Sequence, residues 1–279
     1  MTDSIAAGVE AFVALLACAL TLSIAARRVR IPPAVLLVVV GAIFGSIWHI
    51  QPPFAFGPAL LAVFLPPLIF EAAWNIDLKH MRRAARTIAL LALPGTLLGT
   101  FAIAGTLVAV GVFPFPVALL FGALVSATDP VAVVAVFRNS GVPDRMKTIV
   151  EAESLANDGV AVVLYGIAIT LVGGGAIAWW SEALHLVVAI GGGIAIGILC
   201  AIPSWLALRL IDVAEYEVAG TVALAYIAYL LADRLHVSGI FATTAAAVML
   251  RMLLTRRATM DHRKDVDVFW NVCAFIANA

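Results

Sequence analysis

Residues 123–137 read ALVSATDPVAVVAVF, and residues 151–166 read EAESLANDGVAVVLYG. Each is a long apolar stretch with a carboxylate in its middle, Asp129 in the first and Asp158 in the second. An ionised group near the centre of a bilayer costs about 2.5–3.5 kcal/mol on insertion scales, so its presence there calls for a function or a partner. A helix needs about 20 apolar residues to cross the hydrocarbon core. Stretches of that kind recur along the chain: 5–25, 33–48, 56–78, 87–111, 115–138, 147–172, 183–208, 215–232 and 236–254, with a tenth beginning near Val266.

Composition agrees. Hydrophobic residues make up 63% and charged residues 12%, against about 25% charged in an ordinary soluble domain, and the mean hydropathy is +1.08. The chain reads as an all-α polytopic membrane protein, not a soluble protein with a large core. No nucleic-acid partner or cofactor is expected. Cys18, Cys200 and Cys273 lie in separate apolar stretches without metal or pairing spacing, so inert thiols are expected. The five histidines are scattered and show no ligand spacing.

Charge distribution gives an orientation. Every lysine and arginine except Arg234 falls in the loops after spans 1, 3, 5, 7 and 9. By the positive-inside rule those loops, including 79–86, are cytoplasmic and the N-terminus is outside, in a multi-pass protein of the cell membrane. Asn271 to Ala279 reads as the first half of another membrane helix. The expectation is therefore one transmembrane transporter domain over 1–279, truncated at its C-terminus, with nine complete helices and the start of a tenth.

The polar groups inside the spans carry the functional reading. Pro130 lacks an N–H and disfavours helical backbone before it, so the fifth span should break around Thr128 to Pro130. Carbonyls freed at such a break can coordinate a small cation, and opposed half-helix ends add partial charges. A proline kink alone would explain Pro130 but not Asp129 beside it. In the sixth span Glu153 and Asn157 are four apart, as are Ser154 and Asp158. At 3.6 residues per turn the four share about 110° of arc, one polar stripe on an apolar helix. Such oxygen-rich groups suit hard monovalent cations rather than transition metals. Burial disfavours a bare carboxylate and a nearby cation favours it, so Asp158 can hold a proton or a cation in competition. With Asn157 uncharged, the simplest stoichiometry is one cation per proton. Glu71, in FLPPLIFEAAWNID (64–77), is read either as a ligand or gate or as a residue near the interface. The triglycines 173–175 and 191–193 are read as a loop and a close-packing surface, and Trp179 and Trp180 as interfacial anchors.

Taken in order, FLPPLIFEAAWNID (64–77), ATDPVAVVAVF (127–137), EAESLANDGVAVVLY (151–165) and FWNVCAFIAN (269–278) resemble the monovalent cation:proton antiporters of the first family, the sodium/proton exchangers. The resemblance implies an inverted-repeat antiporter fold, a homodimer, and a core bundle with broken helices that moves against a dimerisation scaffold. It implies that Asp158 binds cation and proton alternately. Thr128 and Ser154 would supply oxygens to the cation, with Glu71 contacting it directly or through water. Asn157 would be the stabilising asparagine that marks electroneutral exchange. Asp129 would compensate the broken helix ends, and Glu153 would pair with an arginine on a later helix. That arginine, the second broken helix and further C-terminal helices do not match anything in this sequence, so the 279-residue segment alone is expected not to transport. Sodium is the expected cation, with potassium or lithium as alternatives because cavity size decides. The rivals are a cation channel, an inactive structural fragment, and an intramembrane aspartyl protease, the last lacking any GxGD motif.

Overall fold

The structure, a computed structural model, describes residues 13–14, 17–26, 33–48, 58–128, 130, 133, 137, 141–175, 178–210, 213–255 and 263–278. Among these residues there are helices and no strand. In chain order the helices are α1 (Ala17–Ala26), α2 (Pro33–Trp48), α3 (Pro58–Asn75), α4 (Leu78–Ala109) and α5 (Phe115–Ser126). They continue with α6 (Asp144–Val172), α7 (Trp179–Leu208), α8 (Ala214–Arg234), α9 (Gly239–Thr255) and α10 (Arg263–Asn278). By length and composition α4, α6 and residues Trp180–Leu208 of α7 can each cross a membrane.

The basic segment 79–86 is not a loop. It is the first part of α4, because Asp77 caps the helix: its Oδ1 accepts from the N–H of Lys79 at 2.8 Å and of His80 at 3.1 Å. Lys79, Arg82, Arg83 and Arg86 are all exposed while Ala84 and Ile88 are buried, which is the periodicity of an amphipathic helix rather than a turn. Farther on, Pro94 has no N–H to offer, and the backbone widens into a π turn over Leu91–Gly95. Arg251 also leaves its expected loop: it sits in α9 and donates to the carbonyls of Trp74 and of Ile76 (2.6 Å) at the end of α3.

Prolines shape α3 as well. Pro67 cannot donate to the carbonyl of Val63 one turn earlier, and the phenol of Tyr226 on α8 donates to that oxygen instead, at 2.7 Å. The core forms where α3, α7 and α8 gather around α9, with α10 packed on α3 and α8. Phe70 and Trp270 are fully buried there, with ring centroids 4.7 Å apart. Gly193 and Gly197 let α7 lie against α9, since a Cβ at either would strike the carbonyl oxygen of Ser238 or Ala242. The second triglycine is thus an internal packing surface, and the first is a turn in which Gly174 has φ +78°. A second group, α4, α5 and α6, packs side by side, and α6 carries Glu153, Ser154, Asn157 and Asp158.

Candidate functional site

Asp158 lies at the midpoint of α6, fourteen residues from either end of a 29-residue helix, or about 21 Å at 1.5 Å per residue. Beside it α5 stops at Ser126, and Ala127 is extended at φ −70°, ψ 123°. Thr128 and Pro130 are non-helical, so the break falls where Pro130 demands it. Asp129 lies outside the described residues.

A break in the membrane leaves backbone groups that must find partners within the protein. The Thr128 carbonyl accepts from Ser154 Oγ of α6. Asn157 Nδ2 donates one hydrogen to Thr128 Oγ1 at 2.8 Å and the other to Glu153 Oε1 at 2.9 Å. Four of the singled-out residues, Thr128, Glu153, Ser154 and Asn157, thereby form one network that staples the broken end of α5 to α6. Asn157 is 1% exposed, and its Oδ1 has no hydrogen-bond partner among the described residues. A buried acceptor left this way costs about 1–3 kcal/mol and is satisfied by a donor or a cation. The start of the break is also anchored to α4, through Ser126 Oγ and Thr100 Oγ1 at 2.7 Å.

Asp158 is exposed toward a cavity of about 410 Å³ whose other walls include Leu65 and Ile69 of α3, Ala127, Tyr165 and Ile240 of α9. Glu71 does not line it. Leu65 and Ile69 share one face of α3, whereas Glu71 is two residues on, about 200° around the helix. Glu71 is half-buried and accepts from Asn75 Nδ2 at 2.5 Å. Directly after Asp158, Gly159 meets the ring of Phe241 so closely that a Cβ would overlap it, and Phe241 packs with Ala123, Val160 and Leu164.

Sequence reading missed the apolar walls and Phe241, because contacts between distant helices leave no spacing. It also treated the histidines as scattered. Glu182, His185, Asp233 and His236 in fact line one further cavity. The signal was available as two acid-x-x-His spacings, EALH (182–185) and DRLH (233–236).

The chain matches, over residues 12–279, the family model described as sodium/hydrogen exchanger, transmembrane. It is similar to sodium/hydrogen exchanger 7 of Arabidopsis thaliana, at 33% identity over 93% of this chain and 24% of the relative. It is similar to the low-affinity Na+/H+ antiporter NhaS1 of Synechocystis sp., at 32% identity over 99% of this chain and 53% of the relative. The Na+/H+ antiporter NhaP of Pseudomonas aeruginosa is 36% identical over 80% of this chain and 54% of its own length. The chain therefore spans from a quarter to about half the length of these relatives. The solved sodium proton antiporter MjNhaP1 of Methanocaldococcus jannaschii at pH 8 superposes with a TM-score of 0.80 at 24% identity, over 98% of this chain and 68% of that one, which establishes the antiporter fold. With the family model matched from residue 12 to residue 279, the chain belongs to the sodium/hydrogen exchanger family.

Proposed function

We propose that this protein exchanges a monovalent cation, Na+, for H+ across the membrane by alternating access, with Asp158 holding cation or proton in turn. The observation that carries the reading is the position of Asp158: mid-membrane, open to a cavity, and next to a helix break. The network around it supports the assignment of roles. Ser154, one helical turn before Asp158, and Thr128 at the break carry hydroxyl oxygens, and the unsatisfied Asn157 Oδ1 adds a further acceptor, although none of the three lines the cavity that Asp158 faces. Asn157 is neutral, so the site carries one exchangeable charge and exchange is electroneutral, one cation per proton. Glu153 and Asp129 support the site electrostatically. Glu71, facing Asn75, acts at a distance or after a movement of α3. The names of the relatives favour sodium over potassium. The protein works as a homodimer in the cell membrane, with the N-terminus outside and the basic loops in the cytoplasm.

The test is proton movement in everted vesicles carrying the complete reading frame, followed with a pH-sensitive dye. Sodium-evoked proton efflux that disappears in Asp158→Asn is expected. No response to sodium, potassium or lithium between about pH 6 and 9 in the folded, inserted protein would overturn the proposal.

A further inference from the structure

Two cavities share a wall. The cavity against Asp158, about 410 Å³, and a second of about 530 Å³ are both lined by Leu65 of α3, Val162 of α6 and Ile240 of α9. The second runs past Gly166 and Thr170, about 12–18 Å along α6 from Asp158. That direction leads away from Arg145 and Lys147, toward the end of the bundle that the basic loops avoid.

Its charged lining comes from two helix ends. Glu182 and His185 lie at the start of α7, with Glu182 Oε2 3.7 Å from His185 Nδ1. Asp233 lies at the end of α8 and His236 in the following turn. His236 has φ +55°, and it is the one non-glycine residue with positive φ among the described residues. That is the left-handed turn that closes α8, with the Val237 N–H donating to the Ala232 carbonyl at 3.0 Å. Tyr229 is the remaining titratable group on this lining; α3, α6 and α9 contribute only uncharged residues, and neither lysine nor arginine lines it. No three of the His, Asp and Glu groups converge on a point where a metal ion would be held.

We propose that this second cavity is the external antechamber of the transport site. Glu182 and Asp233 gather monovalent cations there, His185 and His236 set the strength of that attraction, and Leu65, Val162 and Ile240 form the apolar partition before Asp158. The proposal rests on the exchange reading above. With both histidines neutral, the two carboxylates leave the chamber negative, and a negative cleft with low-dielectric walls concentrates cations. With both histidines protonated the four charges cancel. External cation capture is therefore stronger with the histidines deprotonated than with them protonated.

Three measurements on the complete reading frame in vesicles of defined orientation test this. In E182Q/D233N the apparent KM for sodium at the face opposite the basic loops should rise about three- to tenfold, and the change should fall on KM rather than Vmax. In H185Q/H236Q the dependence of that KM on external pH should flatten. Ile240→Cys, in a background with Cys18, Cys200 and Cys273 replaced by serine, should react with a membrane-impermeant thiol reagent from that face. Unchanged KM in an E182Q/D233N protein that still exchanges overturns the antechamber, as does an Ile240→Cys thiol reached only from the basic side. The thiol readout does not depend on activity. If Ile240→Cys labels as expected while Asp158→Asn still exchanges, the route stands and the exchange reading fails.

Discussion

Asn157 has both amide hydrogens committed, one to Thr128 on the broken helix and one to Glu153 a turn away on its own. Truncation to alanine removes the donor from two acceptors in a setting with little water. An acceptor left unsatisfied costs about 1–3 kcal/mol, so Asn157→Ala should lower the thermal unfolding midpoint in detergent measurably, whether or not transport survives. Asn157→Asp keeps the volume but turns a donor into a second carboxylate facing Glu153, and should be no more stable than the alanine variant. An Asn157→Ala protein as stable as the parent would mean that the staple to Thr128 contributes nothing. This network was half legible in the sequence. The i, i+4 spacings put Glu153, Ser154, Asn157 and Asp158 on one stripe, because helical geometry fixes that much. Their contacts with Thr128 depend on how α5 meets α6, and no periodicity encodes that. Glu71 was left undecided by spacing for the same reason, and the structure places it on the face of α3 away from Leu65 and Ile69.

At the scale of helices, prolines were the most legible feature and their remedies the least. Pro130 announced the end of α5, but nothing near Pro67 announced that Tyr226, far along the chain, would supply a donor for Val63 O. Tyr226→Phe leaves that carbonyl without its donor inside the membrane and should destabilise the fold by about 1–3 kcal/mol, read as a lower unfolding midpoint without loss of the helical circular dichroism signal. Close packing gives a second case. At Gly197 any side chain meets the backbone of α9, so Gly197→Val should reduce the yield of folded protein on size exclusion, whereas Gly191→Ala, with open space around it, should not. The amphipathic start of α4 was misread as a loop because its charges mask a cap. Asp77 there accepts from the His80 N–H, the largest influence, and lies beside the His80 imidazole and the Lys79 N–H, which together hold its carboxyl below the usual value. A carboxyl lowered in the folded state contributes fully above its unfolded value, near pH 4, and loses its contribution as pH falls through the lower folded one. Asp77→Ala should therefore cost about 0.5–2 kcal/mol at neutral pH, and its unfolding midpoint should converge with that of the parent protein as pH falls through the lowered folded-state value.

Over the whole molecule the proposed exchange turns on how much charge crosses with the cation. The basic residues at one face, cytoplasmic in the proposed orientation, stay outside the field, whereas Asp158, about 21 Å from either end of its helix, lies within the potential drop. A net charge carried across does work of about 2.3 kcal/mol per 100 mV. If Asp158 returns neutralised by a proton after carrying a monovalent cation outward, the site has the same net charge on both legs. The neutral Asn157 beside it adds no second titration. Sodium-driven proton flux in proteoliposomes of the complete protein should then be the same with the potential clamped at zero or near −100 mV by potassium and valinomycin. Were a second carboxylate titrating in each cycle, one more charge would move, and the same clamp would change the driving force by that 2.3 kcal/mol, close to fiftyfold at equilibrium. A flux that shifts with the clamp by anything approaching that factor would show that Asp158 does not act alone. The second titrating group would then be sought first at Glu153, one helical turn from Asn157 and in hydrogen-bond contact with it.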